Sequence, residues 1–179
     1  MKFFTKEFWA STRDGEDAEQ GENPAGSRGK VLRAYHAQLE AMRPRLPEHV
    51  FAFFERVDIY EGELLRLDIA DGSRPAPLGQ PPRPWVAPGN HPVRVALDIL
   101  DVYDQLVWTL RYRTVRRILV DFPAEPPLLY RDGEGFGDLG YHELTDAGDG
   151  FFRHEILYAS GATVLVEFRE VEVHSHARG

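Results

Sequence analysis

The chain has 179 residues, no cysteine, a net charge of −8, and 42% hydrophobic and 28% charged residues. Those figures suit one soluble domain with a real core rather than a disordered chain. The lack of cysteine excludes a disulfide framework, a thiol nucleophile and a thiolate metal site, and the acidity argues against nucleic acid, whose phosphates need a clustered basic face.

The opening residues Met1 to Trp9 alternate apolar pairs with charges. They lack the continuous apolar stretch of a secretion signal, and no segment reaches the length of a membrane span, so the expectation is a cytoplasmic protein without membrane association. Phe3, Phe4, Phe8 and Trp9 are too apolar to stay in water and are expected to dock onto the body. Residues 10–29 then turn polar and acidic, with Asp14, Glu16, Asp17, Glu19 and Glu22 among glycines, and read as a mobile solvated loop.

From Lys30 to Arg43, Leu32, Tyr35, Leu39 and Met42 recur every three or four residues, which predicts an amphipathic helix ended by Pro44. A second helix is predicted from Pro47, with Val50, Phe51, Phe54 and Val57 on one face and His49 on the surface. Between Asp58 and Ile69 the pattern becomes strand-like, as Leu65, Leu67 and Ile69 alternate with Arg66 and Asp68. Asp58-Ile59-Tyr60-Glu61 is echoed by Asp101-Val102-Tyr103-Asp104, which reads as two neighbouring strands with similar needs.

Residues 71–92 carry prolines at 75, 77, 81, 82, 84, 88 and 92, a density that denies the backbone its ladder donors. The expectation is a long loop between two halves of one domain. Pro81-Pro82-Arg83-Pro84 resembles a ligand for an aromatic groove, but a plain linker is the simpler reading. Alternation resumes over Val93–Leu97 and Leu106–Tyr112, and Ile118, Val120 and Phe122 line a further strand; a tight turn near Arg113-Thr114 would join the last two as a hairpin. Arg111, Arg113, Arg116 and Arg117 read as arginines on a sheet face rather than a phosphate site.

Residues 141–168 fall into three β-rich pieces separated by Gly148-Asp149 and Ser160-Gly161, an antiparallel meander. Val164, Val166 and Phe168 are even-numbered while Val171 and Val173 are odd, so a bulge or bend is expected near Arg169-Glu170. If both turn dipeptides are two-residue loops, Glu143 faces His154 and His154 faces Glu167, one row across three strands. A histidine held by two carboxylates is a candidate general acid/base or metal corner. The structural alternative is a charge ladder that fixes register, and Phe152, Ile156 and Tyr158 share the face of His154, as in a satisfied core. His174 and His176 point the same way on an extended segment and are weaker metal candidates, on a terminus expected to fray. No cofactor motif, nucleophile elbow, phosphate loop or HExxH pattern is present.

Met1-Lys2-Phe3-Phe4-Thr5-Lys6-Glu7 resembles the start of an uncharacterised bacterial domain-of-unknown-function family that opens Met-Lys-(Phe or Tyr)-Phe-Thr-Lys-Glu. Tyr141-His142-Glu143 and Phe151-Phe152-Arg153-His154-Glu155-Ile156-Leu157 resemble that family's Tyr-x-Glu and aromatic-x-x-His-x-Leu-Leu strands. Glu155 stands where the family pattern is apolar, and the proline-rich stretch departs from it too. The resemblance implies no activity.

The expected fold is α+β: one largely antiparallel sheet with two N-terminal helices packed on it. The expected function is a non-enzymatic binding module for a protein partner, of the immunity-protein kind. The alternative is a hydrolase-like or metal-binding site centred on His154. An enzyme needs His154 in a concave, partly solvated pocket, whereas a binding module needs an exposed patch or a free sheet edge.

Overall fold

The structure is a computed structural model, described for residues 1–13, 24–71, 93–122 and 135–179. Thr5 starts the first helix: its Oγ1 accepts the Phe8 N–H at 3.2 Å, a side-chain cap on α1, Lys6–Arg13. Helix α2 spans Pro24–Met42 and ends in a 3-10 turn, Arg43–Arg45, where Pro44 cannot continue the ladder. Helix α3, Glu48–Arg56, follows Pro47 and buries Val50, Phe51, Phe53 and Phe54. The two expected helices are therefore present, with a third before them. Residues 10–13 and 24–29, expected as loop, are helical. Pro24 is well placed in a first turn, but Ala25, Gly26 and Ser27 carry no apolar stripe from which a period could be read. Residues 14–23 and 72–92, which hold most of the acidic stretch and the proline-rich one, lie outside the described residues.

Eight strands follow: β1 Glu63–Asp71, β2 Val93–Leu100, β3 Leu106–Arg113, β4 Arg117–Asp121, β5 Leu139–Gly148, β6 Phe151–Tyr158, β7 Thr163–Phe168 and β8 Glu170–Ala177. They form two antiparallel four-stranded sheets, ordered β1-β2-β3-β8 and β4-β7-β6-β5. The protein is α+β, with two sheets where one was expected. The C-terminal meander is the run β5-β6-β7.

Two bends divide the sheets. β3 and β4 do not form the expected hairpin; β3 pairs with β8 and β4 with β7. Thr114, at φ 52°, turns the chain between them instead of reversing it. The phase change at Arg169 is the matching bend between β7 and β8. Backbone bonds stitch the two bends together, from Arg116 N–H to the Glu167 carbonyl at 2.9 Å and from Arg169 N–H to the Arg113 carbonyl at 3.4 Å. Two long strands thus pass side by side from one sheet into the other, a corner made by strands that switch sheets. Opposite the corner, Glu61 N–H bonds the Leu139 carbonyl and Leu139 N–H bonds the Gly62 carbonyl, each at 2.7 Å. The sheets meet at both margins.

The core lies between them. Val95, Leu97, Leu110 and Tyr112 of one sheet join Leu144, Ile156, Val164 and Val166 of the other in a single buried cluster. Helix α3 inserts its aromatic side chains into it: the Phe53 ring lies 5.2 Å from Trp108 and the Phe54 ring 5.0 Å from His154. The repeated Asp-x-Tyr-acidic motif makes two local turns. Asp58 accepts the Tyr60 N–H and Asp101 accepts those of Gln105 and Leu106, while Glu61 and Asp104 take left-handed φ. The strands they precede, β1 and β3, flank β2 rather than each other. β8 is paired to β3 as far as Ala177, and Arg178 bonds Gln105 and Asp104, so the expected fraying is not seen.

The N-terminal segment lies against β5. The Trp9 indole packs over Gly140, where a Cβ would fall 2.1 Å from ring carbons, and it shares a small apolar cluster with Leu157 and Ala159. Gly140→Ala should therefore displace Trp9 and cost about 1–3 kcal/mol, the usual range for overpacking. Urea denaturation with tryptophan emission reads this as a lower midpoint and a red-shifted native spectrum; an unchanged pair of curves would show that Trp9 does not dock there.

Candidate functional site

The expected row of Glu143, His154 and Glu167 does not form. The loop between β5 and β6 is Asp149-Gly150, both at positive φ as a two-residue hairpin of this kind requires, and Ala147 is extra in the ladder. The loop between β6 and β7 has three residues, with Tyr158 N–H bonded to the Ala162 carbonyl, Gly161 N–H to the Tyr158 carbonyl, and Gly161 at φ 81°. Each loop shifts the register by one. Glu143 pairs with Glu155, Glu167 with Arg153, and His154 with Leu144 and Val166. Because side chains alternate, the three glutamates share the outer face of the sheet while His142 and His154 share the inner one.

Each carboxylate is satisfied where it stands. Glu143 is fully buried, and its Oε2 accepts the N–H groups of Phe3 at 2.8 Å and Phe4 at 3.0 Å while Oε1 accepts that of Lys2. Glu155 Oε1 lies 2.9 Å from the Met1 amino nitrogen. Glu167 is gripped by Arg116 at 2.8 Å and Arg153 at 2.7 Å. Burial alone would raise its pKa, but the hydrogen bonds and charges of the two arginines outweigh burial and hold it below the ordinary value. His174 and His176 lie on the outer face of β8, both exposed. No group of three metal-ligating side chains occurs among the described residues.

What sequence reading missed is a chain of polar side chains inside the core. Tyr112 Oη lies 2.6 Å from His154 Nδ1, and His154 Nε2 lies 3.2 Å from His142 Nδ1. His154 is 1% exposed, and burial, then the neighbouring His142, pushes its pKa well below the ordinary value. Burial also lowers His142, to about 4, against a partly offsetting pull from Asp58. Burial and the nearby Tyr158 raise Tyr112, so its hydroxyl keeps its proton. All three groups are neutral at physiological pH. Their hydrogen bonds then run one way: Tyr112 O–H donates to His154 Nδ1, His154 Nε2–H donates to His142 Nδ1, and His142 carries its single ring proton on Nε2. The reverse order would leave the Tyr112 hydroxyl proton without an acceptor. The signal that could have found the chain was the even spacing of His142 and His154 against a correct register.

His142 also lines a cavity of about 460 Å³ between α2, α3, the N-terminal segment and the start of β5. Phe4, Tyr35, Phe54 and Tyr141 form its walls, and Arg28, His36, Glu55 and Asp58 bring polar groups to it. The Phe4 ring stacks on Tyr141 at 5.3 Å and meets Tyr35 edge-on at 5.0 Å. His154 does not line it.

Two outcomes are expected. Glu143→Gln should destabilise by about 1–3 kcal/mol in chemical denaturation, because the amide replaces one acceptor oxygen with a donor facing backbone N–H groups; wild-type stability would show that those bonds are dispensable. Protonation should also separate the histidines from the carboxylates. A histidine whose folded pKa is depressed takes up protons more readily when unfolded, so stability falls as pH drops below about 6.5. For His142 the loss continues until about pH 4, where the folded form also protonates. Between pH 7 and 5, before most carboxylates titrate, His142 should cost about 2 kcal/mol, and His154 should add to the fall in the same direction. A His142→Gln variant should show a shallower fall over that interval, and a slope equal to wild type would mean that His142 is not neutral in the fold.

Compared with known proteins, the chain matches no family model, no curated protein and no solved structure.

Proposed function

We propose that the chain is a non-enzymatic binding module for a protein partner, an acidic interaction domain of the immunity-protein kind. The observation that carries this reading is the placement of the three site candidates. His154 is sealed among Tyr112, Phe54 and His142, and Glu143 and Glu167 face away from it with their oxygens committed to other groups. A general acid/base must reach a reacting atom directly or through one water, and this imidazole has no such opening. An edge that no strand covers beyond the Glu63–Asp138 bridge, among the described residues, supports the same reading. β1 is nine residues long and terminal in its sheet, and Leu65 and Ile69 are 47% and 54% exposed on it. A long edge with apolar side chains is a template for strand addition, and the net charge of −8 favours a basic partner segment.

The test uses tagged wild type, Leu65→Lys/Ile69→Lys and His154→Phe as baits in cells of the source organism, followed by hydrogen exchange on the complex formed. The expected result is a partner retained by wild type and His154→Phe, lost with the edge variant, and protecting β1 amides. A partner held equally by the edge variant would overturn the edge, and an ester or metal ion turned over or bound only when His154 is present would overturn the module.

A further inference from the structure

The cavity beside His142 carries two charges that form no ion pair among the described residues. Asp58 accepts the Tyr60 N–H, yet it makes no ion pair among the described residues; Arg28 makes none either, and both line the cavity. Glu55, by contrast, is paired with Arg56 at 2.7 Å. Elsewhere the arginines near an acid are used, as in Arg45–Asp146, Arg66–Asp98, Arg113–Glu172 and the two on Glu167. An anion and a cation left apart on the wall of one aromatic cavity are complementary to a ligand bearing both charges. His142 adds a neutral Nε2–H donor beside Asp58, fixed in that state by the chain through His154 to Tyr112.

We propose that this cavity binds a small zwitterion of the α-amino acid class with an aromatic or bulky apolar side chain. The ammonium group sits at Asp58, the carboxylate takes Arg28 and the His142 Nε2–H, and the side chain lies against Phe4, Tyr35, Phe54 and Tyr141. About 460 Å³ falls within the range of small-molecule sites and holds an amino acid with its first waters. Carboxylate recognition by guanidinium and ammonium recognition by carboxylate are charge-assisted bonds, the strong kind in a partly desolvated site. Nothing here depends on the β1 edge, so the site stands or falls independently of the partner protein.

The experiment is calorimetric titration of the whole chain with L-phenylalanine, L-tryptophan and L-leucine, beside phenethylamine, which lacks the carboxylate, and 3-phenylpropionate, which lacks the ammonium. The expected result is binding of at least one amino acid and about tenfold or greater weakening for each single-charge analogue. Two variants divide the contacts. Asp58→Asn, which keeps an acceptor for the Tyr60 N–H, should weaken phenylalanine and phenethylamine but leave 3-phenylpropionate unchanged. Arg28→Gln should weaken phenylalanine and 3-phenylpropionate but leave phenethylamine unchanged. Absence of heat and of chemical-shift change at Tyr60 and His142 with all three amino acids would overturn the proposal. So would binding indifferent to both variants.

Discussion

A carboxylate with no exposure, on the outer face of a sheet, has to be satisfied by whatever crosses that face. Glu143 is such a group, and three successive backbone N–H groups, those of Lys2, Phe3 and Phe4, converge on it. Consecutive amides turned toward one anion form a concave nest, which the chain can make only by wrapping around the acceptor. The consequence is positional. With Lys2 to Phe4 held there, Phe4 must stack on Tyr141 and Tyr35, Thr5 follows as the cap of α1, and α1 carries Trp9 onto Gly140. Those same aromatic residues form one side of the cavity wall, so the donors that the buried acid gathers also position that side. The segments Met1–Glu7, Tyr141–Glu143 and Phe151–Leu157, far apart in sequence, meet at this point, with Glu155 also against the Met1 amino group.

The inner face obeys a different rule. There the corner at Thr114 and Arg169 folds two sheets toward each other, and α3 fills the space between them with Phe53 and Phe54. Ionised groups are expensive in such surroundings unless fully paired. The interior accordingly holds its polar residues as neutral imidazoles and a phenol in one hydrogen-bonded line, while the glutamates stand on the opposite face of the same strands. The edge of that sheet is treated likewise: Tyr35 Oη accepts the Leu144 N–H at 3.3 Å, so α2 covers a backbone donor that the last strand would leave open.

Much of this was legible in the residues. The helix stop at Pro44, the strands, the meander and the bend near Arg169 follow from local chemistry that no tertiary contact overrides. The failures at the candidate site were of one kind. Register depends on the loop as a whole, and Gly148-Asp149-Gly150 offers two adjacent dipeptides able to make a hairpin. The chain uses the second and then spends Ala147 as a bulge. Ser160-Gly161 similarly became the end of a three-residue loop. A shift of one residue exchanges the faces of a strand, which converted an apparent acid–histidine–acid row into a charged exterior and a neutral interior. β3 and β4 failed for a related reason, since Thr114 at positive φ bends a strand as readily as it reverses one, and only the presence of β7 and β8 decides.

His142 is the residue that connects the two regimes. Its Nδ1 belongs to the buried line and its ring borders the cavity, so the interior determines what the cavity is offered. With a folded pKa of about 4, it contributes no charge over the physiological range. Glu55 is offset by its neighbour Arg56, and Asp58 and Arg28 are left as the unpaired fixed charges among the described residues that line the cavity. Were His142 protonated, its charge would sit beside Asp58 and cancel the one anion free to meet an incoming cation. Burial against Phe53, Phe54 and His154 prevents this by desolvating the imidazole, and His154 also occupies its inner nitrogen, which keeps Asp58 available.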